Sequence, residues 1–540
     1  MSIDFPTLAE RIVTAMLDPL TAHYAGAHVA DDELMDFSPS AVADQTATLR
    51  DASHALSEVD GEELEAEEQV DHAMLSAVVD ARLFALTEIA EHEWNPLLHN
   101  PGPLLDVLIS REFAPPEERL AHLVNRLAAL PDALATARAV LTDCPQLHVR
   151  TAIDQFAGVA DLVRGRVDEL AAAVPSARDR VETARSGALA ALAEFDAWLR
   201  ARADVPGRSP RLGRRHWEAK LWHTLDTPLT AAELDRRAWS NLSQSADQLR
   251  EVAARIVGGK PTDDAVRQAL AAAADRRPDP ADIVAQARAD FVEATSFVEQ
   301  FELVTTLPDE PCRIAEMPEY ERGVAAAYCD APGPMERPGL PTLLAISPPP
   351  ADWSAERITS FYREYNDDML RNLIVHEGMP GHYLQLAHAR RFGGATPVRA
   401  VFTSGTFVEG WAVYAERLLA EHGFGGPQVR LQQLKMQLRS TLNTILDQAV
   451  HCDGLAESEA IGLLTTHGFQ EEGEAVGKWR RALLTSTQLS TYFVGYTEMS
   501  DIAAARPADT DLRGWHDEML AHGSPSPRHL RDLLTRGVPN

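Results

Sequence analysis

The chain has 540 residues, 45% of them hydrophobic, and a formal net charge of −31 from 50 basic and 81 acidic side chains. That size and apolar share suffice for a large core of two or three domains, while the negative charge argues against nucleic acid or an anionic membrane as partner. Residues 1–30 lack a basic flank followed by a long apolar core, and no window reaches transmembrane length, so the expected location is cytoplasmic.

In chain order, apolar residues recur at helical spacing over 70–90, 119–141, 152–173, 177–202, 231–256 and 283–301, which predicts a mainly α fold. Pro and Gly break the pattern at 101–103, 115–116, 206–207 and 258–259, and no fixed-period repeat emerges. A Pro/Gly-rich stretch over 309–350 is the expected seam. It makes residues 1–308 a helical part that walls a cleft and residues 309–540 the part holding the site, within one integrated two-lobed unit. Cys144, Cys312, Cys329 and Cys452 are scattered and read as reduced, packed thiols. Residues 342–347 read as a short strand between prolines, and Asp352 or Ser354 can cap a helix through Ile358, Phe361, Tyr365, Leu370 and Leu373.

That helix runs into His376-Glu377-Gly378-Met379-Pro380-Gly381-His382. Zinc hydrolases commonly carry two His four apart on one helical face, with a Glu beside the first as base. Here the spacing is six, a rotation of about 600° in an ideal helix, so two ligands require a bulge or break, which Pro380 and Gly381 can supply. The plainer reading is a helix that ends at Pro-Gly, with His376 in the core and His382 on the surface. A third ligand decides between them. Glu409 opens a second amphipathic helix beside Phe407, Val408 and Trp411, where a buried carboxylate needs a cation or donors. Glu416 shares its face and is either the rival ligand, an acceptor behind a ligand imidazole, or a solvated glutamate.

The string from His376 to Gln385, followed by Phe407 to Ala412, resembles the bacterial family catalogued as domain of unknown function 885, and the likeness extends over most of the chain. Its C-terminal half is also similar to the helical gluzincin peptidases: angiotensin-converting enzyme, thimet oligopeptidase and dipeptidyl peptidase III. The resemblance implies a large helical gluzincin-like fold with a cleft and a small β element, 342–347 serving as an edge strand beside the metal helix. It also implies one Zn2+ held by His376, His382 and Glu409. Arg481, Gln488 and Tyr492 match a further family pattern, although Ser486-Thr487 stands where Pro-Gly commonly precedes the Gln. Tyr492 then becomes the oxyanion donor with Tyr496 second, and Arg481 a partner for a substrate carboxylate. Asp447 and His451 look like family positions too; at i and i+4 they suit an oriented acid pair or a support behind the ligands.

The expected chemistry is hydrolysis of a peptide or amide bond in a small substrate. Zinc lowers the pKa of water toward neutrality, Glu377 takes the proton and later passes it to the leaving amine, and Tyr492 donates to the oxyanion. Two other classes stay open: a non-haem iron oxygenase using the same two-His, one-carboxylate set, and a catalytically inactive binding protein.

Overall fold

The computed structural model describes residues 4–279, 281–317, 326–350 and 353–536. The periodic segments are helical: Pro116–Val140, Arg178–Arg200, Ala231–Val257 and Ile283–Gln300 follow the apolar spacing to within a few residues, 70–90 runs through Ala66–Phe84 into a π turn over Ala85–Ile89, and 152–173 divides into Gln146–Gly165 and Val167–Ala171. Helix makes up 70% of the structure and strand 3%, which places the protein in the mainly α class.

Two compact units divide the chain. The first comprises Met1–Pro210, Pro332–Leu340 and Gly394–Phe402, and the second Arg211–Ala331, Pro341–Gly393 and Thr403–Asn540. The seam expected at 309 therefore lies near 210. The cause is packing: helices from 214 to 257 bury Trp217, Leu234, Leu242 and Leu249 against Leu434, Leu438 and Leu442, all within the second unit. In the first unit, the helices between 105 and 199 share a core around Leu127, Phe156 and Phe195. There the returning segment 394–402 is held by Arg399 Nε and Thr396 Oγ1, which donate to the buried Asp71 carboxylate at 2.6 Å each.

The second unit carries the candidate site. Ten of its elements are labelled: α1 (Ala231–Val257), β1 (Cys312–Glu316), β2 (Ala327–Asp330), β3 (Thr342–Ile346), α2 (Asp367–Glu377), α3 (His382–Arg390), α4 (Gly405–Glu421), α5 (Gly426–Gln448), α6 (Glu472–Leu484) and α7 (Thr491–Ala504). The strands form one sheet in the order β1-β3-β2, with β1 parallel and β2 antiparallel to β3. The strand expected at an edge, 342–347, is therefore the central one. β2 is the edge strand packed against α2.

The helix expected to run from 358 into the metal motif is two helices. Ser354 caps Ala355–Glu364 by accepting from Arg357 N at 3.3 Å; Asp352, the other candidate cap, lies outside the described residues. Asn366 then restarts the chain, its Oδ1 accepting from Met369 N at 3.1 Å. The Asn side chain competes with the backbone ladder, which is why a helix breaks there.

Candidate metal centre

α2 ends at Glu377. Gly378 leaves helical geometry at φ −118° and ψ −96°, the Met379–Pro380 peptide is cis, and α3 begins at His382. The six-residue step from His376 to His382 therefore spans two helix ends. Gly381 makes the turn tight: its N–H donates to Val375 O at 3.0 Å, and a Cβ there would lie 1.9 Å from the His376 carbonyl oxygen, a position only glycine tolerates. Trp411 of α4, fully buried, donates its indole N–H to Pro380 O at 2.8 Å. Held this way, the His376 and His382 rings lie 4.7 Å apart at 88°.

Glu409 comes from the first turns of α4, whose start Ser404 caps by accepting from Phe407 N at 3.4 Å. The Nε2 atoms of His376 and His382 each lie 3.5 Å from the same Glu409 oxygen, Oε2. One donor atom from each residue falls within 4.8 Å of the others. The 3.5 Å separations are longer than good N–H···O bonds. They match the spacing of about 3.4 Å expected between tetrahedral ligands at about 2.0–2.1 Å from a common zinc. Glu409 Oε2 is buried without a hydrogen-bond partner, a costly condition that a cation relieves. The donor set thus fits one divalent ion.

The electrostatics agree with that fit. Burial opposes charge on both His376 and Glu409. Attraction between the His376 imidazole and the Glu409 and Glu416 carboxylates outweighs it, lifting His376 well above the usual imidazole range, and the two histidines hold Glu409 far below the usual carboxylate range. Behind His376, Glu416 is 2% exposed; its Oε1 sits 2.7 Å from His376 Nδ1, and its Oε2 accepts from Asn372 Nδ2 at 2.6 Å. With Nδ1–H donating to Glu416, Nε2 is left as the ligand atom. Glu377 is 9% exposed, and no described residue donates a hydrogen bond to its carboxylate.

Tyr492 opens α7. α7 crosses α4 so closely that a Cβ on Gly410 would lie 2.5 Å from the Gly495 carbonyl carbon, so two glycines set how near Tyr492 comes to Glu409. Burial and then the Glu409 charge push the Tyr492 phenol upward, against the pull of Arg481 and His376, which keeps it a neutral donor near pH 7. Arg481 donates to Gln488 Oε1 at 2.9 Å, in the turn that leads into Tyr492.

Other expected residues lie elsewhere. Tyr496 is buried, and its hydroxyl accepts from Arg417 Nη1 at 3.0 Å. His451 accepts from Leu212 N at Nδ1 (3.2 Å), and its Nε2–H donates to Ala482 O (2.8 Å) and Thr485 O (2.9 Å). With both nitrogens bound to backbone and its pKa lowered by burial, it is a neutral brace and not an acid. Asp447 is 3.8 Å from His451 Nε2, too far for a hydrogen bond; it accepts from Thr487 N at 3.2 Å and Ser490 Oγ at 3.0 Å. Asp447 thus holds the turn before Tyr492 instead of backing a ligand imidazole. Thr487 sits at φ +65°, the left-handed region that glycine adopts freely.

Asn372 and Trp411 escaped the sequence reading as site supports. Asn372 precedes His376 by four residues and Glu416 follows Glu409 by seven, so each shares a helical face with a candidate ligand, but only the fold pairs the two.

No curated protein matches the chain. It superposes on a candidate lipoprotein of unknown function from Shewanella oneidensis with a TM-score of 0.80 and 28% identity, covering 99% of this chain and 100% of the other. A candidate lipoprotein from Colwellia psychrerythraea gives 0.82 at 14% identity with 98% of each chain covered, a likeness of fold alone. The profile described as "Bacterial protein of unknown function (DUF885)" matches residues 19–534, and the chain belongs to that family.

Proposed function

We propose that the protein is a zinc-dependent hydrolase that cleaves a peptide or amide bond in a small substrate, with Glu377 as general base. One observation carries the reading: two imidazole nitrogens converge at 3.5 Å on a buried Glu409 oxygen that has no hydrogen-bond partner. A zinc ion held by His376, His382 and Glu409 would acidify water and polarise a substrate carbonyl. Glu377, next to His376 and free of hydrogen-bond partners among the described residues, takes the proton from the attacking water and returns it to the leaving amine. Tyr492 donates its O–H to the oxyanion as charge develops there. Glu416 and Asn372 keep His376 in one tautomer throughout.

The gluzincin likeness supports the proposal through its order of parts: a His-Glu helix, then a Glu from a following helix, then a late tyrosine. The donor set also suits iron. Metal analysis of purified protein joined to a screen of short peptides and acyl-amino acids tests the reading. Bound zinc with amide cleavage that Glu377→Gln abolishes supports it; iron with O2-dependent turnover contradicts it. A cytoplasmic location is likewise proposed. No described helix is long and apolar enough to cross a membrane, while the lipoprotein names of the structural relatives point to the envelope. Fractionation of the native host separates the two, and recovery with membranes overturns the proposal.

A further inference from the structure

α6 places Lys478 and Arg481 three residues apart, on one helical face. Lys435 and Arg439 of α5 and the carboxylates of Glu364 and Glu474 belong to the same charge network. Lys435 Nζ lies 2.7 Å from Glu364 Oε2; Arg439 reaches Glu364 Oε2 at 3.3 Å and Glu474 Oε2 at 3.0 Å. Both carboxylates are thus taken by α5. Arg481 donates to the Gln488 amide oxygen and makes no ion pair with any described residue, and Lys478 makes no hydrogen bond or ion pair with any described residue.

Four cations therefore meet two carboxylates, in a chain whose net charge is −31. An acidic protein has carboxylates to spare for its surface cations, yet these two have none. The arrangement carries a cost: burial, with Arg439 and Arg481 nearby, pushes the Lys478 ammonium down to about 7. Uncompensated charge of this kind clusters where a ligand supplies the counter-charge. The position is suitable as well. Arg481 donates to Gln488, whose turn runs directly into α7 and Tyr492, and α7 crosses α4 at Gly495 and Gly410, next to Glu409, so the chain path brings the cations toward the candidate metal-ligand set.

We propose that Lys478 and Arg481 form a carboxylate-recognition subsite, and that the substrates are amides bearing a free carboxylate close to the scissile bond, such as acyl-amino acids or short peptides. The planar Arg481 fork grips the carboxylate, Lys478 adds a point charge, and Gln488 holds Arg481 in place. The inference rests on the hydrolase reading for the word substrate, but the subsite is testable as binding alone.

The test uses the full-length zinc-loaded chain carrying Glu377→Gln, so that nothing turns over, and measures by calorimetry the affinity for N-benzoyl-glycyl-phenylalanine and for its C-terminal amide. A third probe, N-benzoyl-glycyl-glutamate amide, carries the carboxylate on the side chain. Expected is at least tenfold tighter binding of one carboxylate-bearing probe than of the neutral amide, falling to near parity in Lys478→Met and in Arg481→Met variants of unchanged Tm. Equal affinity for all three probes, no binding of any at millimolar concentration, or a carboxylate preference that survives both variants overturns the subsite. Should the preference hold while wild-type protein hydrolyses none of the probes or binds no zinc, the subsite stands and the hydrolase reading fails.

Discussion

A buried carboxylate oxygen 3.5 Å from two imidazole nitrogens is an incomplete arrangement for hydrogen bonding and one that a divalent cation would fit. The residue-scale predictions follow from that geometry. Glu377→Gln removes a base without touching a ligand, so zinc content should be unchanged while kcat falls by about 10²–10⁴; equal loss of zinc would show that Glu377 is itself a ligand. Glu416→Gln weakens the acceptor behind His376, and competition with a chromophoric chelator should report zinc affinity lower by about 10–100-fold. An unchanged affinity would reduce Glu416 to a packing residue. At this scale much was legible. His376, Glu377 and Glu409 announced themselves through motif and apolar context, whereas Asn372 stayed hidden because its role depends on a carboxylate 44 positions away in sequence.

Helix ends, more than helix bodies, determine how this site is assembled. α2 stops, the chain turns through Gly378 to Gly381, and α3 starts on the second histidine. Gly381→Ala forces a methyl against the His376 carbonyl, so His382 must move. The expected result is a drop in zinc affinity of at least about tenfold, read by the same chelator competition, with helix content by circular dichroism retained. The helices themselves could be read from apolar spacing, and so could the need for a break at Pro380-Gly381. The interruption at Asn366 could not, because Phe361, Tyr365, Leu370 and Leu373 keep helical spacing across a break made by one side-chain cap. The same limit applied to Asp447 and His451: their i, i+4 spacing was read correctly, but their partners are backbone groups of a distant turn.

Asp447 also gives that turn a pH signature. Burial raises its carboxyl to about 7, against hydrogen bonds from Ser490 and Thr487 that favour the charged form. Below about pH 4 the group is protonated in both folded and unfolded chains. Between about pH 4 and pH 7 the unfolded chain releases the proton while the folded one keeps it, so this group's contribution to stability declines as pH rises. Chemical denaturation across that range should show the stability of Asp447→Asn, relative to the parent, increasing as pH rises from about 4 to 7. A relative stability that decreases over that range would contradict the assignment.

For the molecule as a whole, each of the two units has its own apolar core, and the candidate metal ligands His376, His382 and Glu409 belong entirely to the second. Sequence patterning revealed the helical class but misplaced the seam. The Pro/Gly-rich run near 309 looks like a linker, yet the strands built from it pack inside the second unit, and packing of 214–257 on α5 moves the division to 210. Metal binding should therefore act on one unit. Zinc at about 1,000 times its dissociation constant stabilises the fold that binds it by roughly 4 kcal/mol. Chelation should accordingly raise amide exchange in 367–390 and 405–421 and leave the 105–199 core unaffected. Uniform deprotection of both units would refute that localisation.

The most direct measurement is the metal content of the full-length protein, purified without chelator, beside Glu409→Ala of equal helix content. The account predicts about one zinc per wild-type chain and a small fraction of that in the variant. Wild-type protein that stays metal-free in zinc-replete buffer, or a Glu409→Ala variant that binds zinc as fully as its parent, would contradict it.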